Sequence, residues 1–505
     1  MIKILNTAQI RDADAYTILK EPISSILLME RAANAFVQQF IQEYPDKNKA
    51  IRVICGSGNN GGDGLAITRL LAAKKYEVHA YIFPSEKYSE DCLHNLKKLR
   101  KEYKKSIYKI TSADFISELS PDTIIIDAIF GTGLNKPILQ GSLAFNIIDA
   151  INKRAFKNTI AVDTPSGLFA DKNTTGISVN ATKTYTFQFP KLAFLFPKNS
   201  NNVGSLKILN IQLHPDFIQQ VTTTYFLTEG KDISAILKPR PKFSHKGTFG
   251  HALIIAGSYG KMGAAILSSK SALRSGAGLV SAYIPTCGYE VFQTAFPEAM
   301  CMTDKQQKQI STIPNTDNYT AVAIGPGIGT TNTTSRAFVK FIKQLKRPII
   351  IDADALNILS VQKSILKYLP QKSILTPHPK EFERIVGKWS NNFERLKLQQ
   401  DFSKKHQVII ILKGAHTSIT DIDGSVYFNT TGNAGMATGG SGDVLTGILV
   451  GLLAQGYTPT HAAITGVYIH GLAGDLALQT QSMESLIASD IIEHLGFAFK
   501  AISNL

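Results

Sequence analysis

Cysteine is scarce in this sequence and never paired. Cys55, Cys92, Cys287 and Cys301 lie far apart, with no CxxC pair and no histidine at metal-ligand spacing, which argues against a disulfide framework or a zinc module. They read as reduced, mostly buried thiols. Long apolar runs are also missing: no segment approaches the roughly 20 residues of a membrane helix, and Met1 to Ile10 has no signal-peptide core. The cytoplasm is therefore the expected location, with no membrane partner. There is no solenoid repeat and no low-complexity tail. Acidic residues are the minority, 39 against 54 Lys and Arg, for a formal charge of +15. The basic excess is spread along the chain with only modest clusters such as Lys97 to Lys105, so no nucleic-acid groove is expected. A diffuse positive field suits anionic small molecules such as nucleotides.

Hydrophobic residues make up 44% and charged residues 18% of the 505 positions, the composition of a folded globular protein too long for one core. From Ile51 the chain reads as a buried strand (Ile51 to Cys55), a glycine-rich turn (Gly56 to Gly64), a helix (Leu65 to Lys74) and a strand (Glu77 to Phe83). Two more buried strands, Thr123 to Ala128 and Thr159 to Asp163, each end in a polar turn. Regular alternation lapses through Pro215 to Lys242, where Pro239-Arg240-Pro241 favours an extended connector. The expected division is residues 1–214, a connector leading into the second domain over 215–242, and a second domain over 243–505. The second α/β series runs through strands at His251 to Ala256, Ala321 to Gly325, Pro348 to Asp352 and Val408 to Lys413.

The segment Cys55-Gly56-Ser57-Gly58-Asn59-Asn60-Gly61-Gly62-Asp63-Gly64 sets five glycines around two amides and a carboxylate between a strand and a helix. Glycines permit close backbone approach, and N–H groups at a helix start suit a phosphate. The pattern is not GxGxxG, so it does not predict an ordinary dehydrogenase. A tight turn alone accounts for one or two glycines but not for Asn59, Asn60 and Asp63. Two further strand ends converge on this loop, with Asp127 before Gly131-Thr132-Gly133-Leu134-Asn135-Lys136-Pro137 and Asp163 before Ser166-Gly167. Their oxygens can hold a hard cation or supply carboxylates for acid–base work.

Over about Ile10 to Leu213 these three loops, in order, resemble the N-terminal family of NAD(P)H-hydrate epimerases. The resemblance implies a Rossmann-like three-layer sandwich in which Asn60, Asp127 and Ser166 bind K+. It places Asn59, Asn60, Gly61, Gly62 and Asp63, together with Gly131 to Pro137 and Asp163, around the hydrated cofactor. Asp163 is the implied group for proton transfer during inversion at the hydrated ring carbon.

The most informative later stretch is Thr431-Gly432-Asn433-Ala434-Gly435-Met436-Ala437-Thr438-Gly439-Gly440-Ser441-Gly442-Asp443, followed by an apolar helix from Val444 to Leu453. Such a loop presents backbone donors to an anion while Asp443 faces an approaching hydroxyl, a layout for phosphoryl transfer or phosphate-assisted elimination. A glycine turn with an N-capping Asp is the bland alternative. Lys413-Gly414-Ala415-His416-Thr417 can meet phosphates with a cation and a hydroxyl, and Thr376-Pro377-His378-Pro379 presents His378 from a rigid turn.

With Gly257 to Ala265 and Gly325-Pro326-Gly327-Ile328-Gly329, these motifs resemble, in order, the ribokinase-like ADP-dependent NAD(P)H-hydrate dehydratase family across about Phe226 to Phe499. The resemblance implies that Ala264, Gly327, His378 and Asp443 contact the hydrated cofactor, and that Lys413, Gly414, Ala415, His416, Thr417 and Gly442 contact ADP. The implied partners are NADHX and NADPHX (the hydrates of NADH and NADPH) and ADP, in a homo-oligomer. Mg2+ would neutralise the phosphates, although no cluster of ligands for it stands out. In the implied reaction Asp443 takes the hydroxyl proton as that oxygen attacks the terminal phosphoryl group of ADP, and loss of phosphate then restores the double bond. A kinase for a vitamin precursor or sugar, and a non-catalytic RNA-binding scaffold, are the competing readings; the fused first domain argues against the kinase.

Overall fold

The structure, a computed structural model, describes residues 1–504. It divides into two compact units, one of residues 3–223 and one of residues 1–2 with 224–505. The boundary thus falls between Thr223 and Thr224. The segment 215–242, read as a connector, is shared out: the short helix Pro215–Gln220 lies in the first unit, while the strand Tyr225–Leu227 and the helix Gly230–Ile236 lie in the second. Pro239-Arg240-Pro241 falls inside the second unit, where Lys238 N donates to the Tyr457 hydroxyl at 2.9 Å and an Arg240 nitrogen donates to the Gln455 side chain at 3.0 Å.

The first unit is built on a seven-stranded sheet, in the order Ile107–Lys109, Val78–Ile82, Ile51–Cys55, Ile124–Ala128, Asn158–Val162, Lys183–Phe187, Ser205–Leu209. Every neighbouring pair is parallel. Strands covered on both faces need apolar residues at successive positions, which is why Ile-Arg-Val-Ile-Cys and Ile-Ile-Ile-Asp-Ala are nearly continuous runs. Alternate residues feed two cores. Val53, Ile126 and Ile160 pack with Phe36, Phe40 and Leu65 on one face, and Ile54, Ile125 and Ala161 pack with Ile147, Ile148 and Ile151 on the other. Helix Ser25–Glu43 supplies Ala33, Phe36, Val37 and Phe40 at helical spacing, and Ser24 caps it by accepting from Leu27 N. The strand order reverses between Ile51–Cys55 and Ile124–Ala128, and that switch point opens a crevice at the carboxyl ends of the strands.

The second unit carries an eleven-stranded sheet whose central run, from Met300–Thr303 through Leu279–Ile284, His251–Ile255, Ala321–Ile324, Ile350–Ile351 and Ile374–Leu375 to Ile409–Leu412, is parallel. Ser418–Thr420 and Val426–Phe428 extend it as antiparallel strands. Helices again cover both faces. Helix Ser441–Ala454 is almost wholly apolar because it is buried on all sides, and Gly447 lets it lie against helix Met262–Arg274, where a Cβ would strike the Ser271 hydroxyl. Both units are thus layered α/β folds, as the sequence predicts.

Two helices begin earlier than their sequences suggest. The first spans Asn59–Ala73, so Asn59 to Gly64 form its opening turns rather than a preceding loop. Glycine is needed there because a Cβ at Gly61 would run into the Gly56 carbonyl. The other begins at Ser441, capped by Gly440 in the left-handed region at φ 88 with no side-chain cap. Asp443 lies inside its first turn and is not an N-cap residue.

Candidate active sites

The crevice of the first unit is a cavity of about 630 Å³. Ser57 to Asn60, Asp63, Gly131 to Leu134 and Asp163 line it, as do Asp14 and Lys191, which the sequence did not single out. Asn135, Lys136 and Pro137 are exposed and lie outside the lining. The turn after Gly133 carries them away, and the Asn135 carbonyl accepts from Lys172 Nζ at 2.7 Å.

Asp127 is fully buried at the end of its strand. Its Oδ1 accepts from Ser166 Oγ at 2.5 Å and Ile129 N at 3.2 Å, and its Oδ2 accepts from Ser166 N at 2.7 Å. Burial, partly offset by these bonds, pushes its carboxyl up to about 6. No cation pairs with it among the described residues, and the amide nitrogen of buried Asn60 has no partner there either. Asn60 packs against Gly131, where a Cβ would lie 3.2 Å from the Asn60 Cβ. Neutral oxygen donors around a buried, uncompensated carboxylate are a donor set that fits a hard monovalent cation.

Asp163 sits at φ 61, a strained position that Asp tolerates better than most residues. Its Oδ1 collects three donors: Phe187 N at 3.0 Å, Thr186 Oγ1 at 3.1 Å and the Lys191 ammonium. Lys191, 1% exposed, also bonds Thr186 Oγ1 at 2.7 Å and the Phe189 carbonyl at 3.2 Å. One sequence signal could have found it: a lysine in the apolar stretch Phe189 to Phe196 is tolerated only when it is paired.

In the second unit the motifs meet at the carboxyl edge of the parallel strands. Gly257 N donates to Pro326 O at 2.8 Å and Ser258 Oγ to Gly327 O at 2.7 Å, and a Cβ on Gly327 would lie 3.1 Å from Ala264. Lys261 joins this group through Asp354 at 3.1 Å, and Gly329 N donates to the same carboxylate at 2.9 Å. Asp352, at the end of strand Ile350–Ile351, is the buried hub. It accepts from Lys413 Nζ at 3.1 Å, Thr376 Oγ1 at 2.6 Å and Thr446 Oγ1 at 2.7 Å. Gly442 adjoins Lys413, and a Cβ at this glycine would lie 3.4 Å from Nζ. Burial and the nearby Asp352 charge, opposed by Lys413, push Asp443 up to about 7.

The remaining predicted residues hold different positions. His378 caps helix Pro379–Val386, its Nδ1 accepting from Lys380 N at 3.1 Å and Glu381 N at 3.3 Å. Burial keeps the ring below its usual range, so it is neutral with its proton on Nε2. Gly414 and Ala415 are exposed at a turn that Thr417 closes. His416 faces inward to the Asn429 carbonyl at 3.1 Å, a structural bond that places the ring away from the turn's exposed tip. Beneath the glycine-rich loop, His470 lies 3.3 Å from Ser441 Oγ, and burial takes it down to about 4. Asp475 ties the loop by accepting from Gly432 N at 2.8 Å and the Asn433 amide at 3.0 Å. No cluster of three or more His, Cys, Asp or Glu able to hold a metal occurs among the described residues. No helix there is long and apolar enough to cross a membrane.

Two parallel α/β units, each gathering polar groups at its strand ends, define a two-site enzyme of Rossmann-like plus ribokinase-like architecture. Family models match in the same order: residues 25–193 match the YjeF-related protein N-terminus, and residues 252–496 match NAD(P)H-hydrate dehydratase. The chain is 33% identical to the bifunctional NAD(P)H-hydrate repair enzyme Nnr of Moorella thermoacetica, covering 98% of this chain and 96% of that one. The Coxiella burnetii protein of the same name is 32% identical over 98% and 99%. An ADP/ATP-dependent NAD(P)H-hydrate dehydratase from Bacillus subtilis, crystallised with ATP and Mg2+, is 32% identical over 54% of this chain and 97% of its own, with a TM-score of 0.48. The chain belongs to the bifunctional NAD(P)H-hydrate repair enzyme family.

Proposed function

We propose that the first unit interconverts the R and S epimers of NADHX and NADPHX, and that the second dehydrates the S epimer at the expense of ADP, releasing AMP, phosphate and the restored dinucleotide. The observation that carries this reading is the placement of Asp443. It stands in the first turn of a helix whose amino end is an open glycine loop, beside Lys413 and with its carboxyl near neutrality. Backbone N–H groups at that end hold the phosphates, and Asp443 takes the proton of the ring hydroxyl as its oxygen attacks the terminal phosphorus. AMP departs with the electrons of the broken P–O bond, and phosphate then leaves from carbon with the C–O electrons while the neighbouring carbon gives up its proton to the departing phosphate. Lys413, held by Asp352, faces the phosphates, and the Nε2–H of His378 is available to the cofactor. Mg2+ would neutralise the phosphates.

In the first unit, Asn60, Asp127 and Ser166 are the groups for K+. A cation there would compensate the buried Asp127 carboxylate and brace the loop after Phe130, whose N–H donates to Ser166 Oγ at 2.8 Å. The expected working form is a cytoplasmic homo-oligomer.

The test supplies separated epimers of hydrated NADH with ADP, Mg2+ and K+ and follows the near-ultraviolet absorbance of the dihydronicotinamide ring. Recovery of NADH from both epimers supports the reading. ADP consumed without NADH appearing, and with a phosphorylated small molecule instead, sinks it.

The hub residue gives a further expectation. Asp352→Asn removes a like charge beside Asp443, so that carboxyl comes down from about 7 and the acid limb of the dehydration profile moves to lower pH. The same change frees Lys413 and raises the KM for ADP about tenfold, the loss of one charge-assisted hydrogen bond. A pH–rate series checks both; an unmoved acid limb contradicts the Asp443 assignment.

A further inference from the structure

The charged side chains lining the first cavity are Arg11, Asp14, Asp63, Asp91, Asp163 and Lys191, and its four carboxyl groups are unlike one another. Asp163 takes an ammonium and two neutral donors on one oxygen. Asp91 accepts from Ser25 Oγ at 2.9 Å. Asp14 and Asp63 have no hydrogen-bond partner among the described residues. Asp63 is driven well above the usual carboxylate range by burial and by three neighbouring carboxylates. Asp14, on helix Thr7–Lys20, is pushed up only to about 6, by burial and the Asp163 charge, against the pull of Lys191. It lines the same cavity as the Asp163–Lys191 pair and can exist in either protonation state near neutrality. Two carboxyl groups whose surroundings drive them apart mark an acid and a base.

Resting on the proposed epimerase reading, we propose that Asp14 is a catalytic acid–base residue, working with Asp163 to replace the ring hydroxyl by a solvent water on the opposite face. Water adds to an enamine with its oxygen on the carbon bonded to nitrogen, so the hydroxyl of the hydrated ring departs with help from the nitrogen lone pair. Asp14 gives its proton to that oxygen. The C–O bond breaks with both electrons leaving on water, and the nitrogen pair forms a C=N bond. A second water then attacks the other face, its oxygen bonds to carbon, the nitrogen recovers its pair, and the released proton passes to Asp163. Solvent restores the starting protonation states, and no oxidant or added group is needed. From the other epimer the two carboxyl groups exchange roles. The Asp163 carboxylate also stabilises the intermediate cation.

The full-length protein is given one epimer in water labelled with heavy oxygen, and both inversion and label uptake above the enzyme-free rate are followed by mass spectrometry. The expected result is label entering the hydroxyl in step with inversion. Asp14→Asn slows inversion by about 100-fold or more and Asp14→Glu restores part of the rate, while dehydration of the S epimer by the same preparations stays at the parent rate. Inversion without label, or inversion by Asp14→Asn at the parent rate, overturns the proposal and leaves the epimerase reading standing. A parent protein that dehydrates one epimer but never inverts the other removes the epimerase reading itself.

Discussion

Asp443→Asn is expected to lower the ADP-dependent recovery of NADH from the S epimer by about 100- to 10,000-fold, the range for losing a positioned base, and at the same time to make the second unit more resistant to heat. The two effects have one cause. Burial near Asp352 holds the folded-state carboxyl at about 7, against 3.8 for an ordinary Asp. The folded state therefore binds this proton more tightly than the unfolded chain does. The stabilisation is complete below 3.8 and is lost as the pH rises through 7, where the site has to carry a charge that its surroundings disfavour. Asparagine never ionises, so the variant escapes that loss on the alkaline side of 7. There the parent enzyme is active because the base is free, and least stable for the same reason. Calorimetry of both proteins across this range, beside their turnover numbers, checks the pairing. A variant that loses activity but melts below its parent at alkaline pH would show that Asp443 is structural.

The second large effect is expected at Lys191. Lys191→Met keeps the length of the side chain but strips the ammonium from a position 1% exposed, leaving Asp163 with neutral donors only. Breaking a buried pair from one side costs about 3–5 kcal/mol, because the remaining charge is left uncompensated. The double variant Lys191→Met, Asp163→Asn should recover much of that loss, since neither charge remains. Trp389 is the single tryptophan and lies in the second unit. In a urea titration its fluorescence follows that unit alone, while circular dichroism follows both. The Lys191 variant should move only the dichroism transition that fluorescence does not see. A double variant no more stable than Lys191→Met would contradict the pairing account.

The strands are legible because burial on both faces forces near-continuous apolar runs, and Ile51–Cys55 and Ile124–Ala128 stand out for that reason. The loops are legible because a cluster of glycines with Asn and Asp has few structural uses. Helix starts are not: Asn59 to Gly64 read as a loop, yet they open a helix, and the glycine at 61 is there because the Gly56 carbonyl leaves no room for a Cβ, a tertiary fact invisible locally. The division between Thr223 and Thr224 falls inside the 215–242 segment, but the extended look of Pro239-Arg240-Pro241 hides that this stretch is tied to Tyr457 and Gln455, more than two hundred residues away. Asp352 carries the same signal as Asp127 and Asp163, an aspartate closing a buried strand, but no glycine-rich turn follows it to set it apart from an ordinary strand end. Asp14 has no such mark. It lies on a helix like any surface acid, and only the fold brings it to the cavity.

The parallel first sheet also governs how this unit is made. No two of its neighbouring strands are joined by a hairpin, so each pairing has to wait for a crossover to close, and such non-local pairings fold slowly. The central strand Ile51–Cys55 emerges from the ribosome well before its partner Ile124–Ala128, and until that partner arrives one edge of it is bare. An apolar strand with an open edge is a template for pairing with another chain. Synthesis of this unit therefore passes through an interval in which chaperone protection matters more than the stability of the finished fold.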